Sequence, residues 1–518
     1  MSRRRAPTWI PNSTDYSRVF REQNPWHYDA HVVPEVWAKT IERPLAGVLW
    51  HRLLNNEPRR FQLVLGPRRV GKTTSLYQTV RRLLKEGVVH NRIWWLRLDH
   101  PLLMEVPLNL MVKTIIKSVG ATAENPVFLF LDELTYAKDW DLWLKTFYDE
   151  TWPVVVAGSS SSSAALRHRT VESGVGRWEE EYLAPYLFGE YLSLIGQDIH
   201  FDAEDRTAKT IEALIDTKID ISKLQEHRRR FLLTGGFPEL LIASSKDQSA
   251  DEASLLLQSQ RTLRNDAVER AIYKDIPQAF GVDNPMMLER TLYTLAGQFT
   301  GLLSPATICK NLDGLSEATF GRYLGYLIRS FLVFTLENYS GNEGAKQRRG
   351  KKLYFVDGAV RNAALQRGLA PLDDAPEMGL LMENLAAGHL HALSQQSGVR
   401  CYYWRDGISE VDLIYDHPEY PIVFEIASSA THHHHGIHAL TDRYSKFKGR
   451  CYIVAPDAVP RKPADSSDNV GSLPLDMFLL AISKQAEKEL AGRLSPITTA
   501  IPESPPAQKA IPAQDGDH

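Results

Sequence analysis

The sequence predicts an α/β protein whose N-terminal half is a parallel sheet covered by helices on both faces. Three observations predict it. Short apolar runs, FQLVLG from 61, IWWLRL from 93, VFLFLDE from 127 and PVVVAGS from 153, recur between amphipathic stretches. Runs without polar alternation, separated by helical patterns, are strands buried on both faces. The first run passes directly into a glycine-rich loop, and the third ends on two carboxylates, Asp132 and Glu133.

The loop, LVLGPRRVGKTT, matches G-x-x-x-x-G-K-[ST] with Gly66, Pro67, Arg68, Arg69, Val70, Gly71, Lys72 and Thr73, and Thr74 follows. Glycines let the backbone curl so that its N–H groups face a phosphate, and the helix beyond offers its positive N-terminal end. Lys72 reaches toward β and γ phosphates, and the Thr73 hydroxyl suits Mg²⁺. ATP and Mg²⁺ are the expected cofactors. Asp132 is expected in the Mg²⁺ shell, and Glu133 is expected to orient or deprotonate the attacking water. The alternative for the acidic pair is a helix cap after a buried strand.

The run ending at Ser159 and Ser160 puts a hydroxyl where it either bridges the γ-phosphate and water or simply makes a turn. Arg177, in ESGVGRWEEEY, is either an arginine finger directed at a neighbouring subunit's nucleotide or an ordinary ion-paired arginine.

The rest of the chain divides by pattern. Residues 1–45 form an aromatic-rich N-terminal arm with Trp9, Tyr16, Trp26, Tyr28 and Trp37, expected to dock on a later domain, and 46–195 hold the phosphate-loop core. Residues 196–290 have apolar positions three and four apart, as in RTAKTIEALIDTKI, and are expected to be a helical lid. In 291–357, two short helices around a Gly-containing turn precede two strands around a polar loop, the order of a winged helix-turn-helix. Residues 358–490 form a further α/β unit, and 491–518, with five prolines and no aromatic residue, are expected to be a disordered tail.

Composition limits the partners. Sixty basic against sixty-three acidic residues give a net charge of −3, so there is no overall attraction to nucleic acid or membrane. Cys309, Cys401 and Cys451 are dispersed and odd in number, which suits a reducing cytoplasm and gives no zinc or disulfide framework. No signal peptide or run of about 18 apolar residues occurs, so a cytoplasmic protein without a membrane partner is expected. DNA contact is expected through the wing loop GAKQRRGKK, where Lys346, Arg348, Arg349, Lys351 and Lys352 cluster, together with the helix SEATFGRYLGYLIRS. A solvated basic loop is the competing view. A second basic cluster, HRRR from 227, fits a helix C-terminus equally well.

The order of GPRRVGKTT, LDE, GSSSS, ESGVGR, TGGFPEL from 234, YFVDGAVRNAAL from 354, LMENL from 381, YYWRDGISEVDLIY from 402 and VFEI from 423 resembles a family. It is similar to bacterial and archaeal AAA-type P-loop ATPases that carry a C-terminal domain of unknown function related to restriction-endonuclease-like folds. The resemblance implies an AAA-type core of five strands with a helical lid, followed by the winged helix and a nuclease-like domain. It also implies a carboxylate site matching Glu383, Asp412 and Glu425, a second place for a divalent metal. The lysine that such sites carry two residues after the last Glu is replaced here by Ala427, so hydrolytic activity of that domain is not expected. Lys446 or Lys448 is the alternative source of the charge. The run His432 to His435 follows; four consecutive histidines splay apart, so at most two serve one ion, and a solvated loop is expected.

These patterns point to an ATP-hydrolysing switch or motor acting on DNA or an unknown protein client, with a homo-oligomer implied only through Arg177. The alternatives are a nucleotide-stabilised binding module with negligible turnover and an ATP-gated nuclease.

Overall fold

The computed structural model describes residues 13–29, 33–39, 41–162, 176–217, 219–220, 222–241, 252–341, 350–429 and 435–492. Helices α1 (Ser13–Gln23) and α2 (Pro44–Leu54) lead into β1 (Phe61–Leu65), α3 (Lys72–Lys85), β2 (Ile93–Arg97), α4 (Leu108–Val119), β3 (Val127–Asp132), α5 (Trp140–Asp149), β4 (Val154–Ser160) and β5 (Trp178–Tyr182). The five strands form one parallel sheet in the order β2-β3-β4-β1-β5. Its apolar runs serve two faces at once. Val64, Trp95, Phe130, Val155 and Ala157 belong to one core, and Phe61, Leu63, Leu65, Leu96, Leu129, Leu131, Val154 and Val156 belong to the core opposite. Alternation of side-chain direction along a strand sends successive residues of such a run into the two cores.

The N-terminal arm docks on this sheet. Asn24 accepts from the Trp95 amide at 2.6 Å, Trp26 Nε1 donates to the Ile93 carbonyl at 2.9 Å, and Trp37 stacks on Tyr77, which stacks on Trp95. Trp9 lies outside the described residues.

A helical layer follows: α6 (Phe188–Leu194), α7 (Thr207–Asp216), α8 (Ser222–Thr234), α9 (Glu252–Leu263), two π-helical stretches at Arg264–Glu269 and Ala271–Asp275, α10 (Ile276–Phe280) and α11 (Pro285–Ala296). Then come α12 (Pro305–Asn311), α13 (Glu317–Arg329), β6 (Val333–Asn338), β7 (Lys351–Phe355), α14 (Gly358–Leu365), α15 (Ala375–Ser397), β8 (Cys401–Asp406), β9 (Ser409–Tyr415), β10 (Ile422–Ile426), α16 (His435–Arg443), β11 (Cys451–Ala455), β12 (Val470–Pro474) and α17 (Leu475–Gly492).

The helix-helix-hairpin order expected for 291–357 is present, but the hairpin is not a free wing. Strands β6 and β7 end a seven-stranded mixed sheet in the order β12-β11-β10-β9-β8-β6-β7, joined where Glu337 and Asn338 pair with Tyr402 and Tyr403. A two-stranded hairpin alone is marginal, and docking its open edge on β8 satisfies backbone groups that would otherwise face a crowded interior. The boundary expected at 357 therefore falls between a strand of this sheet and the helix that follows it.

Helix α17 ties the last part of the chain to the helical layer. Asp476 pairs with Arg228 of α8 at 2.8 Å, with both side chains buried, the Ser483 hydroxyl accepts from the Gly189 amide, and Gln485 accepts from Thr210 at 2.7 Å. The largest core accordingly runs from Trp26 to Leu490. The HRRR cluster lies inside α8, and its Arg228 is spent on Asp476. No helix among the described residues is long and apolar enough to cross a membrane.

Candidate functional site

The parallel sheet puts the C-terminal ends of β1, β3 and β4 side by side, where open α/β sheets bind ligands. From β1 the chain turns into the loop because position 66 is glycine. A Cβ there would stand 2.2 Å from the Leu183 carbonyl oxygen, which lies where β5 ends. Gly71 takes a left-handed conformation (φ 94°) and caps α3. Arg69 (φ 69°) and Glu133 (φ 56°) are also left-handed without being glycine, a cost that concentrates at functional positions.

Lys72 is 6% exposed, and its Nζ donates to the carbonyls of Gly66 at 2.9 Å and Pro67 at 2.7 Å. Burial depresses its pKa to about 8, opposed by the negative charge of Glu133. The Thr73 hydroxyl donates to Asp132 at 3.1 Å. Ser159 connects the acidic pair: its hydroxyl donates to Asp132 Oδ1 at 2.5 Å and accepts from the Glu133 amide at 3.1 Å. Its hydroxyl proton thus points to Asp132, which makes Ser159 a brace between the two acidic residues. Burial, and next the Glu133 charge, push the Asp132 pKa upward. Ser161 donates to Glu133 at 3.2 Å, and Ser160 to the Ser162 carbonyl. Thr74 lies half-buried on α3.

Several residues at the loop carry no sequence signal. Arg43, just before α2, donates to the Val70 carbonyl at 3.1 Å and the Ala184 carbonyl at 2.9 Å, and grips Glu190 with two nitrogens at 2.9 and 2.8 Å. It pins the loop from the arm side. Arg43→Ala leaves a carboxylate and two carbonyls short of partners, so a stability loss of about 3 kcal/mol in urea unfolding is expected. An unchanged midpoint would show that the arm does not hold the loop.

On the other side, Arg68 grips Asp275 through Nε and through Nη2 at 2.5 Å, and Tyr136 donates to the same carboxylate at 3.3 Å. Arg69 reaches Glu239 at 2.6 Å and Asp266 at 2.5 Å.

Arg177 is elsewhere. Its carbonyl accepts from the Phe61 amide at the start of β1, and its guanidinium pairs with Asp149 at 2.7 Å. One strand of five residues, about 17 Å at 3.3 Å per residue, separates it from the loop of its own chain.

The C-terminal carboxylates do converge, but on a lysine. Lys352, 3% exposed, places Nζ 3.2 Å from Glu383, 3.1 Å from Asp412 and 2.5 Å from Glu410. Tyr354 donates to Glu383 at 2.8 Å, and the Ile426 amide to Asp412 at 3.0 Å. Burial, and then the charge on Asp412, push the pKa values of Glu383 and Glu425 up. Among the described residues no group of three or more His, Cys, Asp or Glu side chains is placed to hold a metal ion. Of the three carboxylates expected at a second metal position, Glu383 and Asp412 take the Lys352 ammonium between them. The charge comes from β7, which corrects the expectation that Lys352 belongs to a solvent-facing wing. Lys446 instead pairs with Asp416 at 2.5 Å, and Lys351 with Glu337 at 3.2 Å. Lys346, Arg348 and Arg349, and His432 to His434, lie outside the described residues; His435 opens α16.

Residues 58–192 match the family model of the AAA domain, and residues 225–370 and 378–473 match two families described as domains of unknown function, DUF8612 and DUF4143. An uncharacterized protein of Methanocaldococcus jannaschii is 24% identical over 363 residues, 68% of this chain and 72% of its own. One of Mycobacterium tuberculosis is 29% identical over 210 residues, 39% of this chain and 43% of its own. Among solved structures, the ORC1 protein of Aeropyrum pernix in complex with DNA overlaps 67% of this chain and 96% of its own, with 15% identity and a TM-score of 0.28.

Proposed function

From the AAA-type P-loop fold that this chain carries, with a C-terminal domain of unknown function, we propose an ATP-binding and ATP-hydrolysing switch in which residues 196–290 act as the lid. The observation that carries this is the meeting of Lys72, Thr73, Asp132 and Glu133 at the ends of β1 and β3, with Ser159 bracing the acidic pair. The site suits a nucleotide with Mg²⁺. Gly66 leaves no side chain where the loop folds back on Leu183, and the Thr73 hydroxyl beside the Asp132 carboxylate is an oxygen donor pair of the kind a hard cation takes. Thr73 and Asp132 would hold Mg²⁺, which would supply positive charge to the phosphate oxygens.

Lys72 exchanges the carbonyls of Gly66 and Pro67 for the β and γ phosphates. Glu133 takes a proton from water as the water oxygen attacks the γ phosphorus and the bond to the departing ADP breaks. Lid movement reaches the C-terminal region through buried links: Arg228 to Asp476, and the Gly236 amide donating to Asp357 at 2.7 Å. The carboxylates around Lys352 are read as structural, not as a hydrolytic centre.

The test is steady-state ATP hydrolysis by the full chain, with and without duplex DNA, using Lys72→Ala as the blank. Lys72-dependent turnover is expected. A rise with DNA makes Lys346, Arg348 and Arg349 the next substitutions, whereas a rate indifferent to DNA directs the search to a protein client. ATP binding without turnover would sink the hydrolase reading and leave a nucleotide-stabilised binding module.

A further inference from the structure

We propose that Arg68, inside the phosphate loop, is the catalytic arginine of this site, acting in cis, and that Asp275 and Tyr136 are the positioning residues that aim it. The proposal rests on the ATPase reading above and deepens it.

Phosphoryl transfer needs a cation where charge gathers on the transferring group. Arg68 is the residue directly after the two whose carbonyls hold the Lys72 ammonium, so its side chain rises from the same mouth of the loop. Its Nη1 stands 3.9 Å from Glu133 Oε1, the carboxylate assigned to the attacking water. The guanidinium is divided by geometry. Nε and Nη2 are taken by the two oxygens of Asp275, and Tyr136 bonds the same carboxylate, so the remaining Nη1 edge faces Glu133. A planar fork held on one edge keeps its other edge aimed, which a flexible ammonium cannot do. The Asp275 and Glu133 charges hold the guanidinium firmly protonated despite burial.

A second observation comes from the other side of the contact. Asp275 closes the π-helical stretch Ala271–Asp275, and Asp266, the partner of the neighbouring Arg69, sits in the π-helical stretch Arg264–Glu269. π turns are rare and gather at functional positions. Both loop arginines are therefore held by carboxylates on irregular turns of the helical layer, so the position of that layer sets the aim of Arg68. Hydrolysis is thereby coupled to lid position within one chain.

Four variants of the full chain test this: Arg68→Ala, Arg68→Lys, Asp275→Asn and Arg177→Ala. Each is measured for single-turnover hydrolysis, for affinity toward a fluorescent ATP analogue, and for binding of ADP with aluminium fluoride, a mimic of the transferring phosphoryl group. Arg68→Ala is expected to lose about 10³-fold in rate, the lower end of what an arginine finger supplies, and to lose the aluminium fluoride complex. ATP affinity should stay within a few-fold. Arg68→Lys should restore little, because an ammonium cannot keep Asp275 and the phosphate together. Asp275→Asn, which keeps the shape of the contact, should lose about tenfold in kcat with KM unchanged; it carries the test if Arg68→Ala fails to fold.

A wild-type rate in Arg68→Ala beside an inactive Lys72→Ala overturns this assignment and leaves the ATPase standing. A loss in ATP affinity with the saturating rate unchanged overturns it too, since the residue would then bind both states alike. Loss in Arg177→Ala alone, with specific activity climbing with protein concentration, would hand the role to a neighbouring subunit. Absence of any Lys72-dependent turnover in the wild type removes both readings together.

Discussion

Glu133→Gln is expected to lower ATP turnover by about 10²–10⁴-fold, the usual contribution of a positioned general base, while ATP affinity stays within a few-fold. The amide keeps the volume of the carboxylate and still accepts from Ser161, which stands 3.2 Å away. What disappears is basicity toward water and one negative charge opposite Arg68 and Lys72. The left-handed backbone at Glu133, together with its backbone N–H donating to the Ser159 hydroxyl, fixes where the side chain starts, so the substitution changes chemistry without moving the strand end. Because the Glu133 charge raises the Lys72 pKa against burial, Lys72 should titrate lower in the variant than the value near 8 of the parent, and phosphate binding should weaken at a lower pH. Quenched-flow hydrolysis with parallel nucleotide titrations from pH 6.5 to 9 checks both parts. Unimpaired turnover would remove Glu133 from the chemistry.

Lys352→Met is expected to cost about 3–5 kcal/mol at pH 8, the range for removing one partner of a buried charge pair. The parent ammonium stands within 3.2 Å of three carboxylates, and a thioether satisfies none of them. The dependence on pH has a definite sign. Glu383 and Glu425 already hold their protons more tightly in the folded chain than in the unfolded one, so the folded state binds more protons and stability falls as pH rises above the ordinary carboxylate range. Lys352 opposes that shift in both groups, so its loss raises their pKa values further and steepens the fall. Urea unfolding at pH 8 and pH 5.5 should show a much smaller deficit at the lower pH. Equal deficits would mean that packing of the lysine stem, not its charge, is what the site needs.

How far the sequence was legible follows from how local each feature is. Gly66, Lys72, Thr73, Asp132 and Glu133 were readable because a strand, a curled loop and a helix N-terminus impose spacing within a few residues, and an acidic pair at a strand end is equally local. Asp275 was not, because the partner of Arg68 lies 207 positions away and only the fold brings them together. Arg43 precedes a Pro-capped helix and looks like any surface arginine, until its guanidinium is found among the Val70 and Ala184 carbonyls. The hairpin at β6 and β7 was legible as a hairpin, but pairing with β8 is a decision of the open edge, which alternation within the hairpin does not record. Likewise the absence of a lysine after Glu425 was plain, whereas the ammonium beside Asp412 comes from Lys352, 60 positions earlier.

The docking of α17 on α8 also constrains synthesis. Arg228 leaves the ribosome 248 residues before Asp476, its buried counter-charge. At 5–20 residues per second the helical layer waits about 12–50 s with that cation unmatched. The helical layer is therefore completed only when α17 emerges, and a nascent chain stalled before 475 presents an incomplete core to chaperones and proteases.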